Sequence, residues 1–146
     1  MEETYAFKVS VTAQDDAHAL AEARNHQLVL NSKKGSGEAG FSAAETLLAA
    51  LGACMLTNIQ AIGQKMHLQI DDARIEFDAV RKDEPPIVTE INYRLVLTSP
   101  EPKEKLQELH ELSRKWGTVT NTLIHGITPH GQLILHKPVG TTEIKK

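Results

Sequence analysis

Residues 41–65 read FSAAETLLAALGACMLTNIQAIGQK, with one acidic residue near the start and no further charge before Lys65. Ser42 and Glu45 form the S-x-x-E pattern of a capping box, in which the side chain of each residue bonds to the backbone N–H of the other. The pattern predicts a helix that begins after Ser42 and runs to about Lys65.

The predicted helix is apolar around its whole circumference. Its middle contains Leu47, Leu48, Ala49, Ala50, Leu51, Ala53, Met55 and Leu56. Such a helix must be covered on all sides, and its small residues let another backbone come close. A single domain of this size has few other elements to cover it. We therefore expect a symmetric homodimer with two such helices side by side; a monomer whose second helix packs there is the alternative.

The sequence before this helix predicts a small meander of strands. Apolar and polar residues alternate from Tyr5 to Val11, which is the pattern of a half-buried strand. A weaker strand from His18 to Arg24, a turn at Asn25 and His26 and a short strand from Gln27 to Asn31 follow. The glycine-rich residues 32–40 are predicted to form a surface loop.

The sequence after the helix predicts a hairpin and two further helices. Residues 68–80 and 87–97 form two strands, the second with its apolar residues Ile87, Ile91, Tyr93, Leu95 and Leu97 on one face. An amphipathic helix over residues 102–116 ends at Gly117, and Thr118 caps a short helix. Residues 132–136 form a last strand.

These elements predict an α+β fold with mostly antiparallel pairing. We expect one domain over residues 1–146, divided into a strand meander (1–31), the central helix (41–66), the hairpin (68–98), two helices with the last strand (101–137) and a tail (138–146). A length of 146 residues is typical of a single domain.

Composition excludes several classes of function. The net charge of −3, with scattered basic residues, argues against nucleic-acid binding. One cysteine cannot form an intrachain disulfide and the N-terminus lacks a signal-peptide pattern, so we expect a cytoplasmic protein. Polar residues in the second half of residues 46–64 argue against a membrane span. The scattered histidines predict no metal site, and no motif predicts a cofactor.

Three residues are candidates for chemistry. Cys54 is either a small buried apolar residue or a nucleophile, and Thr57, Asn58 and Ala61 on its helical face offer a partly polar setting for a small ligand. Glu45 is either a helix cap or a functional acid. It lies nine residues from Cys54, on the opposite side of the helix and about 14 Å along it, so any link needs a cation or another subunit. Arg24 is either a solvated surface residue or that cation.

The stretch from Glu22 to Thr57 resembles the OsmC/Ohr family, whose central helix has the form P-x-E-L-L-L-A-A-L-G-x-C. The segment WGTVTNTL, residues 116–123, is similar to a second family motif that contains a cysteine. The resemblance implies an intertwined homodimer in which antiparallel sheets wrap two central helices. It also implies that Cys54 is the peroxidatic cysteine, oxidised by an organic hydroperoxide to a sulfenic acid, and that Glu45 holds an activating arginine.

The sequence departs from the family pattern at three places. Gly117 stands where the family has its resolving cysteine, so no intramolecular disulfide can form. The first strand turn reads TAQDDAHA, without the usual arginine, for which Arg24 or an arginine of another subunit could substitute; Ala43 replaces a proline. We therefore expect a one-cysteine peroxidase whose sulfenic acid is reduced by an external thiol. The alternative is a dimeric binding protein of the same fold without peroxidase activity.

Overall fold

A computed structural model describes residues 2–138 of the chain. In chain order the elements are β1 (Ser10–Ala13), β2 (His18–Ala23), β3 (His26–Asn31), α1 (Ala43–Lys65), β4 (Asp72–Asp83), β5 (Pro86–Thr98), α2 (Lys103–Lys115) and α3 (Thr118–His125). Strands β1, β2 and β3 form one antiparallel sheet and β4 pairs with β5 in another. The predicted α+β class and the predicted order of elements are confirmed from β1 to α3.

The central helix begins as predicted. The Ser42 side chain accepts a hydrogen bond from the Glu45 backbone N–H at 3.2 Å, and the Glu45 carboxylate accepts one from the Ser42 backbone N–H at 2.9 Å. Both halves of the capping box are therefore present, and α1 ends at Lys65. A pattern confined to four consecutive residues thus placed the start of the longest helix.

The core lies between α1, α2 and the β4–β5 hairpin. Met55 and Ile59 of α1 and Leu109 of α2 are almost completely buried. The side chains packed around them are Ile62, Met66, Leu68, Ile70, Ala73, Ile75, Tyr93, Leu95, Leu97 and Leu106. Tyr93 Oη lies 2.6 Å from His110 Nε2, which joins β5 to α2 by a hydrogen bond. The hairpin and α2 are thereby fixed to the same side of α1.

The hairpin contains a bulge that corrects one prediction. Val80 pairs with Glu90 but Arg81 pairs with Val88, so Thr89 is an extra residue in β5. One inserted residue reverses the face to which the side chains on its two sides point, and Thr89 lies between Ile87 and Ile91. Ile87 is consequently 51% exposed and does not share the half-buried face of Ile91, contrary to the prediction.

The predicted order of strands in the N-terminal meander is confirmed, but the bounds of the strands differ from the prediction. The first strand begins at Ser10 and not at Tyr5. Ser10 pairs with Glu22, and β2 ends one residue later at Ala23. Almost no residue of β2 is therefore left to pair with residues 5–9. The two-residue turn comprises Arg24 and Asn25, both with positive φ, one residue earlier than predicted.

Two further predictions at the C-terminal end are wrong in part. Gly117, and not Thr118, is the N-cap of α3, because α2 already ends at Lys115. Residues 132–136 form no strand in the part of the chain that the structure describes. Their apolar side chains Leu133, Ile134 and Leu135 are 67–83% exposed. The alternation of residues is present, but no neighbouring strand of this chain lies beside it.

One face of α1 is left open by its own chain. Leu51, Met55 and Ile59 are buried, whereas Ala49 and Ala53 are exposed. By length and composition, α1 is the one helix within residues 2–138 that could cross a bilayer, a property that core helices of soluble proteins share. The open face is lined by small residues.

Two glycines of α1 differ in the space around them, which predicts opposite effects on stability. A Cβ at Gly52 would lie 3.0 Å from Phe77 Cε2 and 3.3 Å from Ile75 Cγ2, whereas at Gly63 it would make ordinary contacts of 3.7 Å or more. Gly63→Ala should raise the free energy of unfolding by up to about 1 kcal/mol through helix propensity. Gly52→Val should lower it by about 1–3 kcal/mol through overpacking.

Denaturant unfolding of both variants at one protein concentration provides the measurement. Equal effects of the two substitutions would contradict the close packing of β4 on Gly52.

Candidate active site around Cys54

Cys54 lies in the middle of α1, is half-buried and sits beside the N-cap residue of α3. Gly117 is its neighbour there: a Cβ built on Gly117 would lie 3.4 Å from Cys54 Sγ. A residue with a side chain at this position would therefore touch the sulfur. Since Gly117 has none, the start of α3 lies beside the thiol without a side chain of residue 117 between them.

Thr120 is a second neighbour of Gly117. Its Oγ1 would lie 2.8 Å from a Cβ at Gly117. Thr120 is 9% exposed, and its Oγ1 is buried without a hydrogen-bond partner. Buried hydroxyl groups nearly always have a partner, so this one is unusual. The Thr120 side chain thus crowds the place that a Cβ of residue 117 would take.

Asn58 lies one helical turn from Cys54 and fixes α2 against α1. Its Nδ2 donates a hydrogen bond to the backbone carbonyl of Ser113 at 3.0 Å. Ser113 is completely buried, and its Oγ also lacks a partner. The partly polar setting predicted for the cysteine is therefore present on this side of α1.

A cleft of about 430 Å³ continues from Asn58 along α1. Its walls are formed by Asn58, Ala61, Ile62, Lys65, Leu112 and Trp116. Trp116, which directly precedes Gly117, is 66% exposed. The cleft is mainly apolar with a cation at one end, which suits a small organic molecule.

Glu45 does not meet Cys54 within one chain. It is exposed at the first turn of α1. The hydrogen bond that its carboxylate accepts from the backbone N–H of Ser42 holds the pKa of the carboxyl below the ordinary value. Among residues 2–138, no cation lies within ion-pair distance of Glu45. The structure thus shows its capping role, and its role as a holder of arginine remains a prediction.

Arg24 lies in the turn between β2 and β3, exposed to solvent. Its sheet makes few contacts with α1, so one chain does not bring it to Cys54. Its assignment as the activating cation also remains a prediction. Within the described ranges no group of three or more histidine, cysteine, aspartate or glutamate side chains is arranged to hold a metal ion.

Sequence reasoning did not find Thr120. It lies 66 positions after Cys54, and no local pattern connects the two. Only its spacing from Gly117 could have pointed to it. A residue three positions after an N-cap directs its side chain back toward the start of the helix. Only the packing of α3 on α1 shows what lies there.

The capping role of Glu45 predicts a pH dependence of stability. A folded-state pKa below the unfolded value means that the stabilisation is present above about pH 4.3 and is lost as the pH falls through the folded pKa. Glu45→Gln keeps an oxygen that can accept from Ser42 but does not titrate. Between pH 6 and pH 3 the wild type should therefore lose more free energy of unfolding than the variant. Parallel pH profiles in urea unfolding would contradict this.

Comparison with known proteins identifies the fold. The chain is similar to an OsmC-like protein from Mycoplasma pneumoniae, with a TM-score of 0.77 and 20% identity over 84% of this chain and 89% of that chain. It is also similar to an OsmC-like hydroperoxide resistance protein from Jannaschia sp. CCS1 (TM-score 0.54, 18% identity, 88% and 91% covered). The organic hydroperoxide resistance protein OhrB of Bacillus subtilis matches with a TM-score of 0.56 and 16% identity, with 81% and 90% covered.

No curated protein matches the sequence. The sequence profile described as OsmC-like protein, however, matches residues 34–130. This range runs from the loop before α1 to beyond α3 and includes both Cys54 and Gly117. Since the match covers more than half of the sequence, the chain belongs to the OsmC-like protein family.

Proposed function

We propose that the protein is a homodimeric, cytoplasmic one-cysteine peroxidase that reduces organic hydroperoxides at Cys54. The observation that carries the proposal is the half-burial of Cys54 beside the start of α3, where Gly117 places no side chain against the sulfur. A half-buried thiol is open to a small oxidant, whereas a cysteine used only for packing is enclosed.

The proposed reaction has two stages. The Cys54 thiolate attacks the outer oxygen of the hydroperoxide, an S–O bond forms, the O–O bond breaks, and the alkoxide leaves and takes up a proton to become an alcohol. The sulfur is oxidised by two electrons to a sulfenic acid. An external thiol then attacks this sulfur and water leaves; a second thiol releases Cys54 as a thiol and forms the external disulfide.

Two features of the molecule and one similarity to other proteins support this proposal. The cleft beyond Asn58 has apolar walls that fit the organic part of a hydroperoxide. Cys54 lies beside the N-cap of α3, which has no side-chain cap, and the N-terminal end of a helix stabilises a nearby anion. Some proteins of similar fold are named hydroperoxide resistance proteins.

The homodimer is supported by the apolar surface that one chain leaves uncovered. Exposed large apolar residues lie in the two terminal segments and on the helices, namely Tyr5, Phe7, Val9, Leu47, Trp116, Ile124, Ile127, Leu133, Ile134 and Leu135. Soluble monomers rarely expose large apolar patches, and this number of exposed apolar side chains favours cover by another chain. A second chain that pairs with the terminal segments and covers the small-residue face of α1 would bury it.

A binding protein without turnover is the second candidate. It is favoured by Gly117, which cannot resolve an oxidised Cys54, and by the position of Arg24 away from the sulfur within one chain. In that case the cleft would hold a small organic ligand and Cys54 would only line the site.

Oxidation of Cys54 separates the two candidates. The reduced protein is mixed with cumene hydroperoxide, trapped with a sulfenic-acid reagent and analysed by mass spectrometry. We expect a trapped adduct on Cys54, one alcohol formed per protein chain, and repeated turnover once a dithiol is added. Cys54→Ser should give neither adduct nor alcohol. A Cys54 that stays reduced while free cysteine is oxidised under the same conditions would exclude the peroxidase.

The dimer is tested by light scattering. We expect a mass of twice 16.1 kDa. Ala53→Glu should lower the dimer fraction strongly, because it introduces a charge on the uncovered face of α1. Gln107→Glu, which adds the same charge on the exposed side of α2, is the matched control and should leave the mass unchanged. A monomer mass for the wild type would contradict the proposal.

A further inference from the structure

The cleft between α1 and α2 has the size of a site for a small molecule. Its volume of about 430 Å³ lies within the range of such sites. Asn58 and Lys65 form its two ends on α1 and are about 10 Å apart along the helix at a rise of 1.5 Å per residue. The cleft therefore matches the length of two fused aromatic rings that carry one substituent.

The walls of the cleft are held in place by the fold. Asn58 Nδ2 donates a hydrogen bond to the backbone carbonyl of Ser113 at 3.0 Å and joins α1 to α2 beside the cleft. The buried side chain of Leu109 packs between the same two helices. The site is therefore preformed, as most small-molecule sites are.

The cleft is positively charged although the chain as a whole is acidic. The net charge is −3, but of the described residues that line the cleft only Lys65 is charged. Lys65 lies in the last turn of α1, where the helix dipole favours a cation, and it makes no ion pair within residues 2–138. A second ammonium, Lys115 Nζ, lies 5.6 Å from the centroid of the Trp116 ring. An anionic ligand is therefore favoured over a neutral one.

The wall that faces α1 offers an aromatic surface. Trp116 lines the cleft and is 66% exposed, although burial of so large a ring is favourable. Beside it, Ile62 and Leu112 are half-buried. An aromatic ring in the cleft would remove the surface of Trp116 from water and stack on it, so the cleft favours a ligand that is aromatic as well as anionic.

We propose that the cleft binds an aromatic carboxylate, with the ring against Trp116 and the carboxylate paired with Lys65. The inference rests on the proposed function for the role of this ligand and names the chemical class of its organic part. Binding itself requires no reaction at Cys54. Lys65 and Trp116 are thereby specificity-determining residues, both for a peroxidase and for a binding protein without turnover.

The test measures binding of 2-naphthoate to the full, reduced chain by calorimetry. We expect a dissociation constant below about 1 mM, the level that a ligand of this size reaches. Two analogues remove one feature each: 2-naphthamide is neutral, and decahydro-2-naphthoate is not aromatic. Both should bind at least about threefold more weakly. Trp116 is the one tryptophan of the chain, so its indole N–H signal in a nuclear magnetic resonance spectrum should shift on titration.

Variants assign the two contacts. Lys65→Gln should weaken binding of 2-naphthoate about fivefold, the effect of an exposed ion pair, and leave binding of 2-naphthamide unchanged. Trp116→Leu should weaken binding of 2-naphthoate about fivefold through loss of stacking, and Trp116→Phe should restore most of it. Lys103→Gln removes the same charge at the far end of α2 and is the matched control, with unchanged binding. Because all three side chains are exposed, thermal unfolding should show that each variant is folded.

The outcomes of binding and of peroxidase chemistry are separate. If 2-naphthamide binds as tightly as 2-naphthoate, or if Lys65→Gln and Lys103→Gln act alike, the carboxylate does not pair with Lys65 and the inference is overturned. An indole signal of Trp116 that does not shift would show that the cleft takes no such ligand and would also overturn it. Neither result affects the peroxidase proposal, which trapping of the Cys54 sulfenic acid decides. Binding of 2-naphthoate without any sulfenic acid would support this inference and leave the binding protein as the function.

Discussion

A helix that is apolar on every side can be only partly covered by a chain of this size, and the rest of the structure depends on this constraint. The β4–β5 hairpin and α2 bury the stripe that contains Leu51, Met55 and Ile59. The opposite face, with Ala49 and Ala53, is open. Monomeric soluble proteins rarely expose large apolar patches, and the open face of α1 is therefore the basis on which we propose a second chain.

The same helix determines the setting of the candidate site. Cys54 lies at the border between the covered and the open side, where the start of α3 reaches α1. Asn58 holds α2 one turn further on, and Gly117 allows α3 to approach without touching the sulfur. The position of the thiol is therefore a result of helix packing. Glu45 is held by the capping box at the start of α1, and within one chain its position does not depend on that of Cys54.

Local patterns predicted α1, its capping box and the paired hairpin, because each depends on residues near one another in sequence. The bounds of the first strand and the existence of the last strand were predicted wrongly for a physical reason. Alternation in residues 5–9 and 132–136 is a property of the segment, whereas a strand also needs a neighbour. The prediction of the face on which Ile87 lies was wrong, because a count of sequence periodicity does not detect one inserted residue, Thr89. In the candidate site, Cys54 was a candidate as the only cysteine and the family resemblance pointed to position 117, whereas Thr120 depends on the packing of two helices distant in sequence.

For the proposed peroxidase, the glycine at position 117 has a kinetic consequence. A cysteine there would close a disulfide within the molecule, at a rate independent of any other solute. With glycine, the release of an oxidised Cys54 is bimolecular, because the chain contains no other thiol. Its rate is then proportional to the concentration of thiol in the surrounding solution, so the fraction of oxidised protein at steady state would follow the ratio of hydroperoxide to thiol.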